Sequence, residues 1–265
     1  MLLREVGYAR PGSLGEAIEL LAADDGARAL AGGQTLINVM KARAGSPDAL
    51  IDLAGIEELR GIELLADGTL EIGAMATYTE LVESSEARAR PIIGHVCAQI
   101  ADVQVRNRGT IGGNLCTSDP TNHLPPLMAA LGAQMTIAGA SGERTVPASE
   151  FFLGVYMTAV GQGEVLTKIT VPAGRDDGFA AVTLGADGTC IASAAASVNG
   201  GVTIALGCVD AVPVVLHPGS ADEDAVRAAV RDAELDPPSD VHASGDYRTH
   251  LAEVLAVRAV NQARS

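Results

Sequence analysis

The chain has no Cys-x-x-Cys pair. Its four cysteines, Cys97, Cys116, Cys190 and Cys208, are spaced 19, 74 and 18 residues apart. That spacing supplies neither an iron–sulfur cluster nor a zinc ribbon, so buried free thiols in a reducing cytoplasm are expected. The five histidines are scattered, and no two fall at metal-ligand spacing on one helix face. A protein-held metal is therefore not expected. Basic residues are scarce: 18 Lys and Arg stand against 33 Asp and Glu, a net charge of −15. This argues against nucleic acid or an anionic membrane as the main partner. A bound phosphate stays open, because backbone N–H groups can hold one without Lys or Arg. Long apolar runs are missing too, and none approaches the ~20 residues of a membrane span. The opening MLLREVGYARPG has no basic start, apolar stretch or cleavage site of a signal peptide. We expect a cytoplasmic location.

What is present is a globular chain of 265 residues, 48% hydrophobic and 19% charged. That is enough for one large or two small units with a real core. Ser13 to Glu16 reads as a capping box opening a helix with Leu14, Ala17, Ile18 and Leu21 on its apolar face. Residues 28–31 and 49–53 read as strands, and 35–41 as a short helix. Leu70, Ile72 and Ala74 alternate as in a half-buried strand. Thr77 to Glu80 is a second capping box, residues 91–101 look helical, and 103–120 are rich in Gly, Asn, Thr and Asp. Pro125 fits the first turn of a helix containing Leu127, Met128 and Leu131. Residues 134–138 and 165–171 read as strands. Pro172 to Gly178 is a candidate linker. Beyond it, Asn199-Gly200-Gly201 between two apolar runs signals a hairpin. Helices are expected over 222–231 and 246–263, the second with Tyr247, Leu251, Val254, Leu255 and Arg258 on one face. The pattern is α/β up to about Pro172 and α+β after it.

Two glycine-rich turns carry the chemistry. Ala31-Gly32-Gly33-Gln34-Thr35-Leu36 joins an apolar strand to a short helix. Glycine permits positive φ and close backbone approach, so successive N–H groups can face one anion. Thr110-Ile111-Gly112-Gly113-Asn114 has the same properties. Neither is Gly-x-Gly-x-x-Gly or a Walker A sequence, which disfavours a Rossmann nicotinamide site and a P-loop. One Gly-Gly alone is as well explained by a tight turn. Two of them, each with a hydroxyl and an amide side chain, leave that reading balanced against a dinucleotide pyrophosphate held between them. Arg106 or Arg108 could face a phosphate, or both could be solvated. Tyr156 could be an aromatic lid, or a packing residue. No Ser-His-Asp set and no glycosidase-like carboxylate pair is assembled.

Several of these segments resemble one family. Ala31 to Leu36 with Met40-Lys41 is similar to the first flavin motif of the FAD-binding (medium) subunits of molybdenum hydroxylases, the xanthine dehydrogenase and aerobic carbon monoxide dehydrogenase type. Gln104 to Leu115 resembles the second motif, continued by Asp119-Pro120 and Leu124-Pro125-Pro126. Ile72-Gly73-Ala74, Phe151 to Gly154, Gly163 to Leu166 and the run Ser239 to Ser244 with Tyr247, Arg248 and Leu251 also match. The resemblance implies a FAD-binding domain of the vanillyl-alcohol-oxidase (PCMH) type over residues 1–172. It would have two α/β lobes, about 1–55 and 56–172. A C-terminal antiparallel-sheet-plus-helices domain of the CO dehydrogenase flavoprotein type would follow over 173–265, giving an α+β protein. It implies noncovalent FAD lined by Ala29, Leu30, Ala31, Gly32, Gly33, Gln34, Thr35 and Leu36. Thr110, Gly112, Gly113 and Asn114 would hold the phosphates and ribityl chain, and Ile100 and Leu166 would pack against the cofactor. The molybdenum cofactor and [2Fe–2S] centres would sit on a large and a small partner subunit. Electrons would pass from [2Fe–2S] through this subunit to an external acceptor. Alternatives are a flavin-free structural subunit and a stand-alone flavin oxidase of the same fold.

Three positions depart from the family pattern. His123 stands where many relatives have an Asp, and it would contact the sugar hydroxyls in that residue's place. Phe179-Ala180-Ala181 stands where a Lys is common. Asp187-Gly188-Thr189-Cys190 stands where relatives continue Asp-Tyr-Ala.

Overall fold

The structure, a computed structural model, describes residues 3–185 and 188–265. Asp187, in the third departure above, lies outside them, as do Met1 and Leu2 of the N-terminal stretch. The chain begins with a parallel three-stranded sheet built from β1 (Gly7–Ala9), β2 (Ala27–Leu30) and β3 (Ala49–Asp52), in the order β1-β3-β2. Helix α1 (Leu14–Ala23) connects the first two strands and α2 (Leu36–Lys41) the second pair. The Ser13 side chain caps α1 by accepting from the Glu16 N–H. The reciprocal half of the expected box is absent, because Glu16 accepts from Gly12 N–H rather than from Ser13. Ala17, Ile18 and Leu21 of α1 are buried against Ala27, Ile51 and Leu53. Each large aliphatic side chain so buried contributes about 1.5–3 kcal/mol.

The second sheet gathers β4 (Ile62–Leu64), β5 (Leu70–Gly73), β6 (Gln134–Gly139) and β7 (Gly142–Pro147). A two-stranded hairpin, β8 (Phe152–Gly154) with β9 (Met157–Thr158), precedes its last strand, β10 (Val165–Val171). The order is β4-β5-β10-β6-β7, antiparallel throughout although helices alternate with strands along the chain. Between β5 and β6 run α3 (Tyr78–Glu83), α4 (Pro91–Ala98), α5 (Val103–Arg106), α6 (Ile111–Thr117) and α7 (Leu124–Ala130), and α8 (Ala148–Phe151) follows β7. The Thr77–Glu80 capping box on α3 has both of its hydrogen bonds. Residues 103–120, for which the composition signals no helix, contain α5 and α6. Asp102 and Thr110 cap them by accepting from the N–H groups of Val105 and Gly113.

The third sheet, β11 (Asp177–Leu184), β12 (Thr189–Ser197), β13 (Thr203–Gly207) and β14 (Val214–Leu216), is an antiparallel meander. The Asn199-Gly200-Gly201 hairpin joins β12 and β13, with Gly200 at φ +76°. The small residues of β12 alternate between two buried faces. Ala194 and Ala196 meet α10 (Gly245–Ala263) and α9 (Glu223–Asp232), while Ala195 joins the core that includes Leu127 of α7. Alanine lets helices approach both sides of the strand. Leu251 and Leu255 of α10 are buried as expected, but Tyr247 and Arg258 face solvent. The apolar stripe turns instead through Arg248, Ala252, Ala256 and Val260. A buried ion pair ties the third sheet to the rest. Arg90, before α4, donates twice to Asp177, to the Pro172 carbonyl and to Ser197 Oγ.

Candidate functional site

The two glycine-rich turns meet. The first leaves β2 and enters α2. Gly33 sits at φ +74°, a conformation that disfavours a side chain. Gly32 packs so closely on the second turn that a Cβ would overlap the Arg108 carbonyl oxygen and lie 3.0 Å from Gly109 Cα. A Cβ on Gly113 would lie 3.4 Å from Ala31 Cβ, so the turns also approach there. The second turn is bound to residues 74–78 by backbone hydrogen bonds, Gly112 N–H to Ala74 and Ile111 N–H to Ala76, with Tyr78 N–H donating to Gly109. Gly112 has no room for a side chain because a Cβ would come 2.6 Å from that of Ala74.

Beside the paired turns lies a cleft of about 480 Å³, within the range of small-molecule and cofactor sites. Ala29, Ala31, Gly32, Gly33, Gln34, Thr35 and Leu36 line it from one side, and Thr110, Gly112, Gly113 and Asn114 from the other. Leu166 of β10 lines it as well, with nearly all of the preceding segment from Tyr156. The turns differ in what they offer. The N–H groups of Ile111, Gly112, Gly113 and Asn114 all donate inside the protein, the last two to Thr110 Oγ1 and Thr110 O. The second turn is thus a close-approach surface, not the amide cradle expected for it. The N–H groups of Gly32, Gly33, Gln34, Thr35 and Leu36 donate to no acceptor among the described residues. Five consecutive free donors on a cleft wall are what a backbone anion site requires.

Asn114 adds a second signal. Its Oδ1 is buried and without a hydrogen-bond partner, a state that costs roughly 1–3 kcal/mol unless a donor reaches it. The neighbouring Tyr78 phenol is pushed up by burial, with the Asn114 amide pulling it partly back, so it stays protonated. The Cys116 thiol on the same wall is pushed up to about 12 by burial and stays neutral.

Three residues expected in the site do not line the cleft. Strand alternation turns Leu30 away from Ala29 and Ala31, and its side chain packs under Gly33. Ile100 packs on the core beside α4. His123 is buried at the start of α7, its ring tilted on Phe179 at 5.2 Å, with Nδ1 unpartnered. It faces the third sheet. Arg106 faces no anion either, since it donates to the Ile100 and Ala101 carbonyls. Tyr156 stands 66% exposed at the cleft, its hydroxyl donating to Asp119, whose charge raises its pKa. Sequence reasoning missed Met75, Tyr78 and Gln162. The Thr77–Glu80 capping box marked the start of the helix at Tyr78 but not the approach of Tyr78 to the turn.

A family model described as the FAD binding domain in molybdopterin dehydrogenase matches residues 4–174. The chain is 37% identical to the carbon monoxide dehydrogenase medium chain of Afipia carboxidovorans, over 97% of this chain and 96% of that one. It is 32% identical to the glyceraldehyde dehydrogenase medium chain of Sulfolobus acidocaldarius, over 97% and 98%. A chain in the crystal structure of cyanide-inactivated Cu,Mo-CO dehydrogenase superposes with a TM-score of 0.92 at 36% identity, covering 100% of this chain and 99% of that chain. The expected PCMH-type FAD-binding fold is therefore the fold of this protein. By the family match, the length of chain the relatives share and the superposition, the chain belongs to the FAD-binding-domain family of the molybdopterin dehydrogenases.

Proposed function

We propose that the chain is the FAD-holding medium subunit of a molybdenum-containing hydroxylase or dehydrogenase, an oxidoreductase complex. The molybdenum cofactor and the [2Fe–2S] centres would be carried by a large and a small partner subunit. Electrons would enter from the [2Fe–2S] centres and leave to an external acceptor. Residues 1–172 carry the cleft in this reading, and 173–265 pack against them as a C-terminal domain. The observation that carries it is the run of five free N–H groups from Gly32 to Leu36 along a cleft of cofactor size.

The residues present fit FAD. The amides of Gly32 to Leu36 would hold the pyrophosphate, and the unpartnered Asn114 Oδ1 would accept from a hydroxyl of the ribityl chain. Ala29, Ala31, Met75 and Leu166 supply apolar walls. Bound FAD supplies the redox chemistry, and the protein binds, orients and shields it. Tyr78 and Cys116 keep their protons, so that wall is neutral and holds no thiolate for a covalent link. Binding is therefore noncovalent. His123, on the far side of α7, takes no part. Fluorescence titration of the apoprotein with FAD tests this. One FAD per chain is expected, with affinity lost in Gly32→Ala and unchanged in His123→Ala. Equal affinity of the Gly32→Ala protein and the parent would overturn the assignment.

A further inference from the structure

We propose that Cys190 and Cys208 form an oxidisable dithiol, a site that hydrogen peroxide converts to a disulfide where the third sheet packs on α7. Strand geometry brings the two residues together, with the Cys208 sulfur against the Cys190 backbone. Val182 pairs with Ala192 but Thr183 pairs with Cys190, so Ile191 is an extra residue in β12. Such a bulge re-aims the side chains beyond it. It moves Cys190 off the face of Ala192 and Ala194 and onto that of Ser193, toward α7. Cys208 directly follows β13 and sits at φ +64°, where a non-glycine residue is uncommon. Its Sγ lies 3.0 Å from the Pro120 carbonyl and 3.5 Å from that of Cys190.

The surroundings favour a charged sulfur. Cys208 donates its S–H toward Cys190, and His123 and Ser193 also lie within interaction distance of Cys190. Together they draw its thiol below the ordinary range. The same hydrogen bond, with burial, pushes Cys208 up. His123 Nδ1 and Ser193 Oγ are buried and bonded to no other group among the described residues, which leaves both free to face the Cys190 sulfur. Arg248 and Asp119 are the charged groups that act on Cys208, and His123 acts on Cys190. Cys97 and Cys116 have no such neighbours, and burial pushes each up to about 12. Cys208 also lines a narrow fissure with Pro120, Pro126 and Asp210.

The chemistry balances. The Cys190 thiolate attacks one peroxide oxygen, the O–O bond breaks, and the hydroxide released takes up a proton to become water. Cys190 is then a sulfenic acid. The Cys208 sulfur attacks the Cys190 sulfur, the S–O bond breaks, and the oxygen leaves as water with the Cys208 proton. Two thiols lose two electrons and two hydrogens, and peroxide becomes two waters. Cys208 thereby gives up its bond to Pro120, in the same loop as Asp119, which holds Tyr156 at the cleft. The inference does not rest on the flavin reading.

The test treats the reduced full-length protein with stoichiometric hydrogen peroxide, alkylates remaining thiols under denaturing conditions and maps the peptides by mass spectrometry. A linked Cys190–Cys208 peptide is expected, lighter by two hydrogens and restored by dithiothreitol, with Cys97 and Cys116 still alkylated. The Cys208→Ser protein should carry sulfenic acid on Cys190 without a link. In Cys190→Ser, Cys208 should oxidise about tenfold or more slowly than Cys190 does in the parent, because burial still keeps its thiol protonated. Four alkylatable thiols in the treated parent protein, or oxidation that begins at Cys97 or Cys116, would overturn the proposal.

Discussion

At Gly32 one added carbon would separate the two turns. Its Cβ would overlap the Arg108 carbonyl, a backbone atom that a rotamer change cannot move. Gly32→Ala should therefore destabilise the protein by about 1–3 kcal/mol, the usual cost of overpacking, and remove the flavin. Denaturant titration and flavin content measure the two effects. Gly33→Ala fails for another reason, since φ +74° costs an L-residue roughly 1–2 kcal/mol. Asn114 separates binding from folding. Asn114→Ala should weaken FAD binding by about 0.5–1.5 kcal/mol, or two- to twelvefold, while the apoprotein should lose no stability through Oδ1, which bonds nothing in the protein. Unchanged affinity in that variant would place the ribityl chain elsewhere. The sequence motifs picked out the two turns that line the cleft, because glycine pairs flanked by hydroxyl and amide side chains are local signals. Two features were not legible: that the second turn engages its own amides through Thr110, Ala74 and Ala76, and that His123 packs on Phe179. Both depend on partners far away in sequence.

At the scale of elements, α6 is the part that propensity hid. Two glycines within seven residues argue against a helix, yet Thr110 caps it and three of its residues are buried. Thr110→Val should cost about 0.5–2 kcal/mol through loss of that cap, and Thr110→Ser should restore most of it. A Thr110→Val protein as stable as its parent would mean that packing alone holds α6. The edge strand β7 was missed because its residues are mostly exposed and charged. The strongly patterned elements β5, β10, α1 and the β12–β13 hairpin were legible, because one buried face imposed its period on the sequence. Glu164, on the cleft segment, accepts from Arg144 and from Gly161 N–H, and Arg144 holds its carboxyl below the ordinary range. A depressed folded value stabilises above the unfolded pKa and is lost as the pH falls through the folded one. Glu164→Gln should flatten the acid limb of the stability profile.

For the whole molecule, the Arg90–Asp177 pair is the main polar clasp between the cleft-bearing sheets and the third sheet, with side chains 3% and 1% exposed. Arg90→Leu leaves a buried carboxylate unpaired and should cost about 3–5 kcal/mol. Arg90→Leu with Asp177→Leu should recover part of that, read as thermal stability. The chain has no iron–sulfur ligand spacing, and among the described residues no cluster of His, Cys, Asp and Glu could hold a metal. Under the proposed function, the isolated chain should turn over no hydroxylase substrate until large and small partner subunits are added. The central claim, that this cleft holds FAD without a covalent bond, is tested most directly by acid precipitation of the purified or FAD-reconstituted protein. One FAD per chain should be released to the supernatant, leaving a colourless pellet. Flavin retained in the pellet, or a protein that stays colourless after reconstitution, would contradict it.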